Sequence, residues 1–245
     1  MKKKYNQTIL LISPEPWGQN KVSKHHYALE LAKRGNKVFF LNPNSGSFQL
    51  RNERNNLFVV DYKEPIRGLS FLPKIIQSLY FLLLVKYLEY KVGKRFDVLW
   101  NFDSSRFYEL SMLNEKVRIC HIVDMNQNFH RDQLAKSSDV CFCTSDFILD
   151  DLKPFNNKVY KIHHGFKVSE KIVDVEEQFD SNKIQVGYIG NLTIKYLDWE
   201  LVYQVAVNSL SVDFYFIGNL GLSNLASLVR NDKFRTKIQE LPNVY

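Results

Sequence analysis

The sequence predicts an α/β protein made of two successive units, each a parallel sheet with helices on both faces. Three observations point there. Short apolar runs rich in β-branched and aromatic residues alternate with longer helical stretches along the chain. A highly charged segment without Gly or Pro (FKVSEKIVDVEEQFDSNK) interrupts that alternation at residues 166–183. Beyond it the same alternation starts again.

Taken in order, Thr8 to Ile12 (TILLI) reads as a buried parallel strand and Ser13 to Gly18 (SPEPWG) as a loop. Gln19 to Arg34 reads as a helix whose apolar face carries Tyr27, Ala28, Leu31 and Ala32, with Gly35 as its stop. Lys37 to Leu41 and Leu57 to Tyr62 are the next strands. Phe71 to Arg95 is a long helical region, apolar along most of its length and edged by Lys74, Lys86, Lys91, Lys94 and Arg95. Strands at Asp97–Phe102, Val117–Val123, Asp139–Thr144 and Lys158–Ile162 follow, with a short helix at Asp146–Lys153. After the charged break come a strand at Ile184–Ile189, a loop at Gly190–Lys195 and a helix at Asp198–Asn208. A strand at Val212–Ile217, a helix at Ser223–Arg230 and the start of a third strand at Leu241–Tyr245 complete the series. A doubly wound unit takes on the order of 150 residues, so the second unit reads as the opening part of a larger, C-terminally truncated domain.

Composition narrows the class. With 45% apolar and 14% aromatic residues, the 245-residue chain can bury a sizeable core. Cys120, Cys141 and Cys143 lie inside strand-like runs without CxxC or zinc spacing, as buried reduced thiols do. No apolar signal-peptide core follows the lysines of MKKKYNQ, and the longest apolar run, Leu79 to Val85, is too short to cross a bilayer. A cytoplasmic protein is expected, soluble or peripheral at the inner face of the membrane. Charge is uneven: residues 1–100 hold 17 Lys and Arg against 7 Asp and Glu, while the remainder holds 16 against 19. The basic half suits a membrane surface or a phosphate-bearing ligand. No zinc finger, RRM signature or basic-region helix speaks for nucleic acid.

Motifs exclude several chemistries. There is no GxGxxG after Ile12, no GxxxxGK[ST], no GxSxG and no HExxH, and no acidic pair at a strand end to hold a metal. What remains lies in the loops after strands, where open parallel sheets bind ligands. Gly18 lets backbone approach a ligand before a helix N-terminus, although a plain tight turn accounts for it equally. His25 and His26 stand on the first helix and read either as crevice-facing or as surface residues. His121 sits inside the apolar run ICHIVDM, with Asp124 at its end. It can bond a sugar hydroxyl or phosphate oxygen with Asp124 fixing its tautomer, or be a core histidine satisfied by backbone. Gly190, Asn191, Thr193 and Lys195 form a small, hydroxyl-bearing loop suited to a diphosphate.

The segments LAKRGNKVFFL, DQLAKSSDVCFCTSDFILDDL, KVYKIHHGF and IQVGYIGNLTIKYLDWELVYQVA, followed by VDFYFIG, stand in a telling order. In that order they resemble GT-B-fold glycosyltransferases, most closely glycosyltransferase family four, which makes bacterial polysaccharides and glycolipids. The resemblance implies two Rossmann-like doubly wound parallel-sheet domains. Residues 1–165 would be the acceptor-side domain, 166–183 the linker, and 184–245 part of the nucleotide-sugar domain. It implies that Gly18 contacts the donor diphosphate, that His121 contacts the transferred sugar, and that Asp124 lines the acceptor side. His121 and Asp124 are then the catalytic candidates. Gly190, Asn191, Thr193 and Lys195 lie near the diphosphate, and His164 and Gly165 form the crossover. Asn191 stands where the family has Arg, and His164 where it has Asn. The donor is a nucleoside-diphosphate sugar, the acceptor a sugar or lipid-linked molecule, and no metal or other cofactor is implied. The basic fringe of residues 71–95 offers an anionic membrane surface a partner. Two alternatives share the architecture: a non-catalytic sugar-nucleotide- or acceptor-binding fragment or partner subunit, and a sugar-nucleotide epimerase-like protein.

Overall fold

Runs such as TILLI and KVFFL, buried at every position but the first, need cover on both faces of their sheet. The computed structural model supplies it. It describes residues 6–18, 21–63, 68–125, 129–165, 182–192, 197–218 and 233–245. The chain divides into two compact units, Met1–Lys167 and Val168–Tyr245.

The first unit is an eight-stranded sheet of β1 (Thr8–Ile12), β2 (Lys37–Leu41), β3 (Gln49–Arg54), β4 (Leu57–Asp61), β5 (Val98–Asn101), β6 (Val117–Ile122), β7 (Val140–Cys143) and β8 (Val159–Lys161). Its order is β3-β4-β2-β1-β5-β6-β7-β8. Every pairing is parallel except that of β3 with β4. Helix α1 (Ser23–Lys33) covers one face, where Leu11, Val38, Phe40, Leu57 and Phe102 pack on Ala28 and Ala32. Helices α2 (Lys74–Val92), α3 (Arg131–Ser137) and α4 (Asp146–Leu152) cover the other, where Leu10, Phe39, Leu99, Cys120 and Cys141 meet Phe81, Leu88, Leu134 and Ile148. Alternate residues of one strand thus feed two different cores. Cys120, Cys141 and Cys143 are free and buried.

Three helix ends lie three or more residues from the sequence expectation. The first helix begins at Ser23, not Gln19, because Val22 is extended and its N–H donates to His25 Nδ1 across the first turn. The long helix begins at Lys74, not Phe71: Pro73 forces Leu72 into an extended conformation, and a separate 3₁₀ turn, Leu69–Phe71, precedes it. It stops where Gly93 takes φ 66° and Lys94 N–H closes onto the Glu89 carbonyl, a left-handed C-terminal cap. The antiparallel strand β3 and the helix α3 were not anticipated. β3 is exposed at every position and so carries no apolar alternation to read. It turns into β4 through Asn56, the one non-glycine residue with positive φ among those described.

The second unit pairs β9 (Ile184–Ile189) in parallel with β10 (Val212–Ile217), with α5 (Trp199–Asn208) between them in sequence and α6 (Lys233–Ile238) after them. Trp199, Ala206, Phe214 and Ile238 form its core. The expected third strand is present at its start: Phe214 bridges Val244 in parallel, and Tyr245 exchanges backbone bonds with Phe214 and Phe216. The expected helix at 223–230 and nearly all of the linker, residues 166–181, lie outside the described residues.

Candidate functional site

In the first unit the strand order reverses between β1 and β5, so the carboxyl ends of these strands and their neighbours frame the natural ligand crevice. Arg106 organises that edge. Its guanidinium donates to the Ser13 and Asn42 carbonyls (2.7 and 3.2 Å), to Tyr62 Oη (3.0 Å) and to Asp103 (2.5 Å). Asn42 in turn accepts from Trp17 N–H (2.8 Å) and donates to Asp61 (2.7 Å), which pins the Trp17–Gly18 loop to the sheet. His25 holds the same loop from the helix side. Its Nε2 donates to the Pro16 carbonyl (3.1 Å) and its ring stacks on Phe40. Burial lowers its pKa. His25 is therefore a buried clamp, whereas its neighbour His26 is exposed.

His26 belongs to a cavity of about 780 Å³ on the α1 side of the sheet. Tyr27 of α1, His121 of β6, Thr144 after β7, and His163, His164 and Gly165 after β8 also line it. His121 is also a rung of an aromatic ladder in which Trp100, His121, Phe142 and Tyr160 step across β5 to β8. His121 is 1% exposed and stacks on Phe102 at 4.5 Å. Trp100 Nε1–H donates to His121 Nδ1 at 3.3 Å, so the imidazole proton resides on Nε2. Burial, then the neighbouring His164 and Lys24, lower its pKa to about 3. His121 is thus a neutral ring with one N–H to offer the cavity. Lys24, itself buried, pairs with Glu15 of the loop after β1. Thr144 Oγ1 donates to the Val123 carbonyl (2.6 Å) and ties the ends of β6 and β7 together.

The sequence-derived candidates fall into three groups. His121, His164 and Gly165 share the cavity wall. Asp124 is half-buried beyond β6 and Gly18 is exposed in its loop; neither is among the described residues lining the cavity. The tautomer of His121 is set by Trp100, where the sequence reading had assigned Asp124. Gly18 has an unstrained backbone, and a Cβ there would meet only the Pro16 carbonyl at 3.9 Å, so packing does not require glycine. Gly190 and Asn191 belong to the second unit, at the end of β9, while Thr193 and Lys195 lie outside the described residues. Gly190 meets Gly218 backbone to backbone at the strand tips: a Cβ on Gly218 would sit 1.7 Å from the Gly190 carbonyl oxygen. Sequence reasoning missed Trp100, Arg106 and Gly218. The first two hide in an apolar strand and a polar loop; the third is legible as a glycine closing a strand.

The fold is that of two-domain glycosyltransferases of the GT-B kind. No protein-family model matches the chain, and no curated protein matches it in sequence. Solved structures do. Sucrose-phosphate synthase from Thermosynechococcus elongatus aligns with a TM-score of 0.67 at 14% identity, over 98% of this chain and 70% of that one. The catalytic domain of starch synthase IV from Arabidopsis thaliana, bound to ADP and acarbose, aligns at 0.62 and 11% identity over 98% and 73%. Os79 from O. sativa in complex with UDP aligns at 0.55 and 9% identity over 98% and 71%.

Proposed function

We propose that this protein is a glycosyltransferase that moves a sugar from a nucleoside diphosphate to a hydroxyl of a polysaccharide or glycolipid acceptor, in the manner of glycosyltransferase family four. The observation that carries the reading is His121: a buried, neutral imidazole in the wall of a cavity beside the strand ends, with its Nδ1 taken by Trp100 and its proton left on Nε2. A neutral donor of this kind suits a sugar hydroxyl or a phosphate oxygen and does not compete with bulk water for a proton near neutral pH. Exposed backbone at Gly18, with no packing demand for glycine, supports close approach of a diphosphate. Asp124, at the end of the same segment, is the candidate for the acceptor side. Gly190, Asn191, Thr193 and Lys195 are proposed for the diphosphate on the second unit. In this scheme backbone N–H groups and cations stabilise the departing diphosphate, and no metal is required.

Titration of UDP- and GDP-sugars into the purified chain by calorimetry tests it. Binding that His121→Ala weakens, together with sugar transfer to an acceptor, is the expected result. Binding without transfer would favour a non-catalytic binding protein. Absence of binding to any nucleotide-sugar by a folded sample would remove the donor assignment.

A further inference from the structure

Helix α2 buries one side against the sheet through Phe81, Leu84, Val85 and Leu88. A helix on the surface of a globular protein should turn charged or polar residues outward. α2 does the reverse. Its solvent side carries Ile75 (65% exposed), Ile76, Leu79, Leu83 (59%), Tyr87 and Tyr90 (83%), and Phe71 (91%) extends the patch just ahead of the helix. The spacing 75, 79, 83, 87 places these side chains on one continuous stripe. A contiguous apolar stripe of this length marks an interaction surface.

Charge at its margins identifies the partner. Lys74, Lys91 and Lys94 rim the stripe, are exposed, and form no ion pair among the described residues. The only acid within α2, Glu89, is buried against Lys116. A second copy of the chain laid on this face would bring two like-charged rims together, which disfavours self-association. An apolar face ending in tyrosines, with lysines at its edges, matches instead the interface of a bilayer containing anionic lipid. α2 is not long and apolar enough to cross one; among the described residues no helix is.

We infer that the outer face of α2, with Phe71, docks the protein in the plane of an anionic bilayer, so that its acceptor is a lipid-linked molecule presented at that surface. The acceptor class rests on the proposed transferase reading; the docking surface does not. Co-sedimentation of the full chain with vesicles of phosphatidylcholine, alone or mixed with phosphatidylglycerol, tests the surface. The mixed vesicles should capture the protein, less so as salt rises. The double variant Leu79→Glu/Leu83→Glu should lower partitioning on the order of 100-fold with an unchanged thermal melt. Lys74→Gln/Lys91→Gln/Lys94→Gln should lower it by a comparable factor on anionic vesicles only, at about 1 kcal/mol per charge. Failure to bind mixed vesicles at low salt, or binding that the double variant leaves intact, overturns the inference. So does a dimer in light scattering that the double variant dissociates. Vesicle capture by a chain that binds no nucleotide-sugar would keep the surface and remove the acceptor assignment.

Discussion

A histidine inside an apolar strand acquires chemical meaning only from the groups that face its two nitrogens. For His121 the Nδ1 side is Trp100, and the residue stands in the wall of the cavity. The pairing was not legible in the sequence, since Trp100 and His121 lie 21 positions apart and meet only once β5 and β6 align. At pH 7, ¹⁵N shifts should report the Nε2–H tautomer in the native chain. In Trp100→Phe the tautomers should mix, and stability should fall by about 1 kcal/mol for the lost bond. Because burial holds the folded pKa near 3, the rate of any transfer reaction should show no limb from His121 between pH 5 and 8. A limb near pH 6.5 that disappears in His121→Gln would contradict the assignment.

Elements were more legible than residues wherever burial is two-sided. TILLI and KVFFL appear as strands with their expected bounds, because a run that is apolar and buried at successive positions can hardly be accommodated elsewhere; IQVGYI and VDFYFI keep their expected bounds too, although IQVGYI is exposed at every position but Tyr188. QLRNER carries no such signal; its strand is held by backbone pairing to β4 and by the Arg51–Asp61 ion pair (2.8 Å), and neither leaves a mark on apolar periodicity. In α2 the apolar character that blurred its periodicity turns out to serve two faces, one packed and one open. Two substitutions test how these elements are held. Glu89 accepts from Lys116 Nζ (2.5 Å) and from Phe96 N–H (2.7 Å), tying α2 to the loops before β5 and β6. Glu89→Ala leaves Lys116 charged and buried, and should cost about 3 kcal/mol or more in chemical denaturation. Gly218→Ala drives a methyl group into the Gly190 backbone, which cannot withdraw without breaking the β9–β10 pairing. It should destabilise the second unit by about 3 kcal/mol or more, while protection of the first unit's amides from hydrogen exchange stays as in the native chain.

At the scale of the whole molecule, acid should act on the first unit through its buried histidines. Both buried histidines there have folded pKa values below their unfolded one: His25 is lowered by burial, and His121 goes from 6.5 to about 3. Each is neutral when folded and takes up a proton more readily when unfolded. The stability they contribute is therefore complete above pH 6.5 and declines as pH falls from there toward 3. Carboxylates add to the same slope at lower pH. Asp139 is lowered by its bond to Arg118, Asp146 by Lys161 and Glu115 by Lys86, so their contributions fade as pH falls below the ordinary carboxylate range. Denaturation followed by Trp100 and Trp17 fluorescence should therefore show stability lost between pH 6.5 and 4.5. His121→Phe, which keeps the stacking and discards the titrating ring, should flatten the first slope. If the slope survived in both His121→Phe and His25→Phe, proton uptake by these two rings would not be its source, and the neutral donor proposed for the cavity would lose its main physical support.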